Sequence, residues 1–190
     1  GGMRAVKYGT TRDYVLAMTV VLPTGEIMEI GRAVSKTSSG YSLLHLMIGS
    51  VGTLGVITEL TLKLIPVPKE DISSILPFED LETAISAVPK IKLAGLDPQS
   101  IEFMERDIVD SSADYTGNKI IPTNVDGHEV GAYILVTLDG NDQDEIFQRA
   151  ETLAEIGDEL GAFNTLVLSH PDDKRAVWAA RSAGRHRASR

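Results

Sequence analysis

Gly49-Ser50-Val51-Gly52-Thr53-Leu54-Gly55-Val56-Ile57-Thr58 sets three glycines at intervals of three around two small hydroxyl residues. An extended run follows directly, from Val56 to Ile65. A glycine-built bend feeding a strand lets main-chain amides approach a ligand closely. The stretch is not a Walker loop, because no Gly-Lys-Ser/Thr closes it. It is not a Gly-x-Gly-x-x-Gly dinucleotide fingerprint either, since a strand follows the glycines where that motif needs a helix. Two readings stay open: a tight turn at a sheet corner, or a ligand-facing bend with Ser50 and Thr53 as hydroxyl donors.

On the N-terminal side, Val15–Leu22 is apolar on both faces apart from Thr19 and reads as a buried strand. Pro23-Thr24-Gly25 supplies a turn, and Glu26–Ile30 returns as the second strand of a hairpin. Ser42 is placed to cap a short helix carrying Leu43, Leu44, Leu46 and Met47. His45 within it reads as structural or solvent-facing. On the C-terminal side, Leu60, Leu62 and Leu64 alternate with Glu59, Thr61 and Lys63, the pattern of a half-buried strand. Pro66 and Pro68 end it.

Charge divides the chain at the same place. Residues 1–66 hold six Lys/Arg and four Asp/Glu, a balance of +2; residues 67–190 hold twelve and twenty-three, a balance of −11. Two units joined near Pro66-Val67-Pro68 are expected, 1–67 and 68–190. A net charge of −9 over 190 residues argues against nucleic acid as a partner. The chain has no cysteine, which removes disulfides, thiolate metal sites and a cysteine nucleophile. No apolar run is long enough to span a membrane, and no signal-peptide pattern is present.

The second unit alternates strands and helices. Strands are expected at Ile72–Leu76, Ser100–Phe103, Tyr133–Leu138 and Phe163–Leu168. Asp80 should cap a helix with Leu81, Ala84, Ile85 and Val88 on one face. Met104–Tyr115 reads as an acidic helix and Gly117–Val130 as polar loop. Asn141 or Asp142 begins the clearest helix, striped by Ile146, Ala150, Leu153, Gly157 and Leu160. A last helix opens at Pro171 and runs to Arg181. The pattern implies an α+β sandwich with helices on one face of the sheet. The other face should need a cover from the first unit, a partner, or further polypeptide.

Three stretches match a known family in order: GGMRAVKYGTTRDYVLAMTVVLPTGEI, KTSSGYSLLHLMIGS and VGTLGVITELTLKLIPVP. DPQSIEFMERDIVD and Trp178-Ala179-Ala180-Arg181 match more loosely. The sequence resembles FAD-linked oxidoreductases that include glycolate oxidase flavoprotein subunits, D-lactate dehydrogenases and D-2-hydroxyglutarate dehydrogenases, within the vanillyl-alcohol-oxidase-like flavoproteins. The resemblance implies an α+β chain: the C-terminal part of an FAD-binding domain (1–67), then an incomplete ferredoxin-like cap domain (68–190). It implies FAD as cofactor, with Gly1, Gly2, Tyr8 and Gly9 near the flavin. Gly52, Thr53, Gly55, Val56 and Ile57 would line its adenosine side. Arg181 would hold the carboxylate of a small 2-hydroxy acid, a task suited to its planar fork.

The chain departs from that family where Val51 replaces a usual Glu and Ser182 follows Arg181 in place of Glu. The family's pyrophosphate-binding part and its His-rich metal stretch have no counterpart, so no metal ligand is assigned. The ending RSAGRHRASR reads as a truncated or frame-altered terminus. His45, His128 and His170 offer no supported base. The expectation is a cytoplasmic fragment, inactive alone, of a 2-hydroxy-acid oxidoreductase. The alternative is an interaction module that reuses the cap fold and dimerises, or is completed by a missing segment.

Overall fold

The computed structural model describes residues 2–34, 40–116, 121–168, 170 and 172–179. The chain forms two units, Gly1–Gly2 with Gly9–Val67, and Met3–Tyr8 with Pro68–Arg190. The short helix α1 (Ala5–Tyr8) therefore goes with the second unit, although it precedes Gly9–Val67 of the first.

In the first unit, β1 (Val15–Val21) pairs antiparallel with β2 (Ile27–Gly31) on one edge and with β3 (Val56–Leu62) on the other. Between β2 and β3 lies α2 (Leu43–Met47). The Ser42 side chain caps it by accepting from the His45 amide. Buried Val15, Met18, Val20, Ile30 and Met47 make a small core, with Leu44 and Ile48 of the α2 region packed on it.

The expectation of a buried β1 holds in part: Val15, Met18 and Val20 are buried and the other four residues are half-buried. β3 is exposed along its whole length, not half-buried. Its alternation is real, but α2 packs on β1 and β2, so β3 lies on the edge beyond that cover.

The second unit is built on a four-stranded antiparallel sheet. Its strands are β4 (Glu70–Phe78), β5 (Ser100–Glu105), β8 (Ala132–Gly140) and β9 (Leu166–Leu168), in spatial order β5-β8-β4-β9. Helix α3 (Leu81–Leu93) joins β4 to β5, and α5 (Gln143–Glu159) joins β8 to β9. This β-α-β-β-α-β order with the third strand between the first and second is the ferredoxin-like arrangement. Between β5 and β8 the chain inserts α4 (Arg106–Thr116) and a two-residue ladder of β6 (Asn124–Val125) with β7 (His128–Glu129).

Helices α3 and α5 begin where their caps predict: Asp80 accepts from the Thr83 amide at 2.7 Å, and Asp142 from the Glu145 amide at 3.0 Å. They cover one face of the sheet, where Leu76, Phe78, Ile134 and Val136 meet Ala84, Ile91, Ile146 and Leu153. The buried row of α3 is Ala84, Ala87 and Ile91; Ile85 turns outward. A three-and-four spacing from Ala84 selects this row, and the longer side chain at 85 falls one step off it.

The opposite face is not open, contrary to the sequence expectation. Ile75, Met104, Tyr133, Leu135 and Leu168 form a second buried cluster with Val109 of α4, Ile121, Val125 and Val130 of the insertion, and Val177 of the helix at 172–179. The stretch expected as polar loop supplies this cover through three isolated aliphatic residues, too sparse to show a period. Arg106 ties it down by donating from Nη1 to the Thr123 and Val130 carbonyls, each at 3.0 Å. The Tyr133 hydroxyl donates to the Pro122 carbonyl at 2.8 Å. Burial pushes that phenol up to about 12.

Smaller boundaries also move. Met104 is the penultimate residue of β5 and is buried in the second cluster, so the following helix starts at Arg106 rather than at Met104. Phe163 packs on the second cluster without joining β9.

Leu153 is fully buried in the helix-side core. Its replacement by Ala should cost about 3 kcal/mol through lost transfer energy and a residual cavity. Urea unfolding should show the lower midpoint with an unchanged slope.

Candidate functional site

The bend ahead of β3 is held by its own main chain. The Ser50 amide donates to the Met47 carbonyl at 3.1 Å, and the Thr53 amide donates to the Ser50 carbonyl at 3.0 Å. Between them Val51 and Gly52 have φ of 55° and 77°, the positive pair of a type I′ turn. Gly52 has no neighbour where a Cβ would project, so its main chain can be approached from outside. Gly55 is the reverse case. A Cβ there would lie 2.7 Å from Val20 Cγ1 and 2.9 Å from the Val21 carbonyl oxygen, so only glycine lets the chain enter β3 this close to β1. Val51 is 93% exposed and Val56 64%.

The Thr53 hydroxyl donates to the Ser50 carbonyl at 2.6 Å. Its proton is used inside the turn, leaving its lone pairs as acceptors. The expected residues Gly52, Thr53, Gly55, Val56 and Ile57 are thus contiguous and mostly exposed, and Gly2 and Gly9 belong to the same unit. Gly9 has φ of 78°, and Asp13 fills the space where its Cβ would stand. Asp13 accepts from the Thr10 amide at 2.6 Å, which first among its causes holds that carboxyl below the ordinary range. Gly1 and Arg181 lie outside the described residues.

Tyr8 belongs to the second unit and reaches a group that sequence inspection missed. Asp139, at the end of β8, is 1% exposed at its side chain and gathers three donors. Lys7 Nζ donates to Oδ1 at 2.7 Å; the Tyr8 hydroxyl and Gln99 Nε2 donate to Oδ2 at 2.6 and 2.5 Å. Burial alone would raise the Asp139 carboxyl, but these hydrogen bonds and the Lys7 charge outweigh it and hold it below its usual value. Burial and the bond to Asp139 push the Tyr8 phenol up to about 12. Lys7 loses some basicity to burial and regains more from Asp139 and Asp97, so it ends above its usual value. The one available signal, Asp139-Gly140 closing an apolar strand, reads as an ordinary turn. Its partner Lys7 is 132 residues away.

Residues 67–187 match the family model for FAD linked oxidases, C-terminal domain. The chain belongs to the FAD-linked oxidases. A D-lactate dehydrogenase of Anaerostipes hadrus is 55% identical over 183 residues, 96% of this chain and 38% of that protein. A D-lactate dehydrogenase of Archaeoglobus fulgidus is 36% identical over 95% of this chain and 38% of its own length. The glycolate oxidase subunit GlcD of Bacillus subtilis is 37% identical over 74% of this chain and 28% of its own. This FAD-linked oxidase chain thus spans about two-fifths or less of those relatives.

Among solved structures, alkyldihydroxyacetonephosphate synthase superposes with a TM-score of 0.71 at 22% identity, covering 95% of this chain and 35% of that one. The 4-ethylphenol oxidase of Gulosibacter chungangensis gives 0.59 at 17%, covering 90% and 38%. These likenesses show a shared α+β fold. No helix among the described residues is long and apolar enough to cross a membrane.

Two expectations follow. Val51 is β-branched and left-handed, a costly combination. Val51→Asn should raise stability by about 1 kcal/mol, read as a higher melting temperature. The pH profile follows from Asp139, Tyr8 and Lys7. With the Asp139 carboxyl depressed, its contribution is present above the unfolded value and lost as pH falls below about 4. With the Tyr8 phenol raised, its contribution is full below about 10 and lost as pH climbs toward about 12, and the raised Lys7 acts in the same direction. Urea midpoints against pH should form a plateau with both shoulders. Asp139→Asn should flatten the acid shoulder.

Proposed function

We propose that this chain forms part of an FAD-dependent oxidoreductase acting on a small 2-hydroxy acid of the D-lactate or glycolate type. The observation that carries the reading is the 55% identity to a D-lactate dehydrogenase over 96% of the chain. The first unit would supply the C-terminal part of the flavin domain, and residues 68–190 the substrate cap.

The bend suits a dinucleotide on two counts. Gly52 leaves its main chain open, and Val51 and Val56 on either side of the buried Gly55 are exposed. Main-chain groups at Gly52, Gly55, Val56 and Ile57, with Thr53 as acceptor, would hold the adenosine side; Gly1, Gly2, Tyr8 and Gly9 would lie nearer the ring. Bound FAD would supply the acceptor for hydride from substrate C2. Arg181 would orient the substrate carboxylate by two parallel N–H···O bonds. The hydroxyl proton needs a base, and no histidine of this chain is assigned that task. Activity is therefore expected of the whole protein, not of this span alone.

A second reading has its own support. β3 presents Val56, Leu60 and Leu62 to solvent on the edge of a sheet, which also suits an interaction module that pairs with another strand. Concentration-dependent dimerisation of the isolated chain, without any flavin effect, would favour it.

The test is a chimera in which this chain replaces the matching span of the Anaerostipes hadrus D-lactate dehydrogenase. The proposal expects a yellow, folded protein that oxidises D-lactate, and loss of kcat/KM by about a hundredfold or more on Arg181→Met. A folded chimera without flavin or turnover would overturn it.

A further inference from the structure

The second unit is interrupted in sequence by the first. The chain leaves it after Tyr8 and returns at Pro68. Both crossings sit at one dipeptide. On the outgoing side, Lys7 and Tyr8 bond the Asp139 carboxylate at 2.7 and 2.6 Å. On the returning side, the Lys69 amide donates to the Gly140 carbonyl at 3.0 Å, and Glu70 stands opposite Gly140 in the β4–β8 ladder.

Helix α1 is four residues long and buries none of them; Val6 within it and Met3 ahead of it are more than a third exposed. A helix of that length does not stand alone in water. The Lys7–Asp97 pair at 3.1 Å involves a carboxylate that is 67% exposed, and such pairs are weak. Asp139 is the buried partner, and its surroundings are arranged around it. Arg149 Nη1 bonds its carbonyl at 3.2 Å, and the facing Asp71 is neutralised by Lys174 at 2.9 Å. Among the described residues Lys7 is thus the cation that pairs with the Asp139 side chain.

We infer that Asp139-Gly140 is a clasp holding Lys7-Tyr8 and Lys69-Glu70, the residues on either side of the stretch 9–67, together within the second unit, with the Asp139 carboxylate as the positioning group for Lys7 and Tyr8. The clasp stands without the flavin reading. Where that reading also holds, Asp139 sets the placement of Tyr8, which the resemblance associates with the flavin.

Trypsin under native conditions tests it on the full chain, with mass spectrometry following cleavage after Lys7 and, as a reference, after Lys92 in α3. Asp139→Asn removes the charge and keeps the shape. It should speed cleavage after Lys7 by about tenfold and leave Lys92 unchanged. Tyr8→Phe removes one bond and leaves the buried carboxylate paired with Lys7. It should speed the same cleavage about threefold, again selectively. If Asp139→Asn also accelerates Lys92, a selective effect of Tyr8→Phe still supports the clasp. Lys7 cleavage within twofold of the parent in both variants overturns it, as does equal acceleration at Lys92 in both. Neither readout involves FAD, so failure of the clasp and failure of the flavin reading are separable.

Discussion

Burial of β8 on both faces and both edges is the constraint that organises the second unit. Its nine residues pair with β4 from Glu70↔Gly140 to Phe78↔Ala132, and with β5 from Ser100↔Thr137 to Glu105↔Ala132. Ala132 through Asp139 are all buried. A strand so enclosed has no solvent to satisfy its polar groups, so every one that points into the protein needs a partner. Thr137 finds Ser73 at 3.0 Å. Asp139, the only carboxylate on the strand, finds Lys7, Tyr8 and Gln99. An isolated ionised carboxylate at that place would be prohibitively costly, which is why a segment from the far end of the sequence is drawn in.

The first unit works under a looser constraint. Among the described residues its core is five buried hydrophobic side chains around α2, and β3 runs outside that cover. Gly55 sets how closely the chain enters β3, and Val51-Gly52 sets the direction from which it arrives. A bend fixed by its own main-chain bonds and left uncovered is preorganised for contact through amides and carbonyls rather than through side chains. That arrangement tolerates varied side chains at Val51 and Val56 while holding the backbone path.

Local chemistry was legible in the sequence wherever it was local. The hairpin at Pro23-Thr24-Gly25, the caps at Ser42, Asp80 and Asp142, and the stripe of α5 are each decided by residues within a few positions of one another. The bend at 49–55 was legible as a turn, and the motif order made the family legible. What depended on distant partners was not. Ile121, Val125 and Val130 show no period, yet they help close the second face of the sheet because β4 and β8 are buried on both sides. The exposure of β3 could not be read either, since Leu60 and Leu62 alternate as they would in a covered strand. Asp139 carries no local signal, because the lysine that neutralises it lies 132 residues away.

The claim on which the account rests is that β8 is the most stable element of the chain, enclosed by the chain's own helices and insertion. Native-state hydrogen exchange in increasing urea measures this directly. The amides of residues 133–138 should exchange only through global unfolding, with the full urea dependence of the second unit. Exchange of those amides through a low-energy local opening, while the α5 amides stay protected, would contradict it.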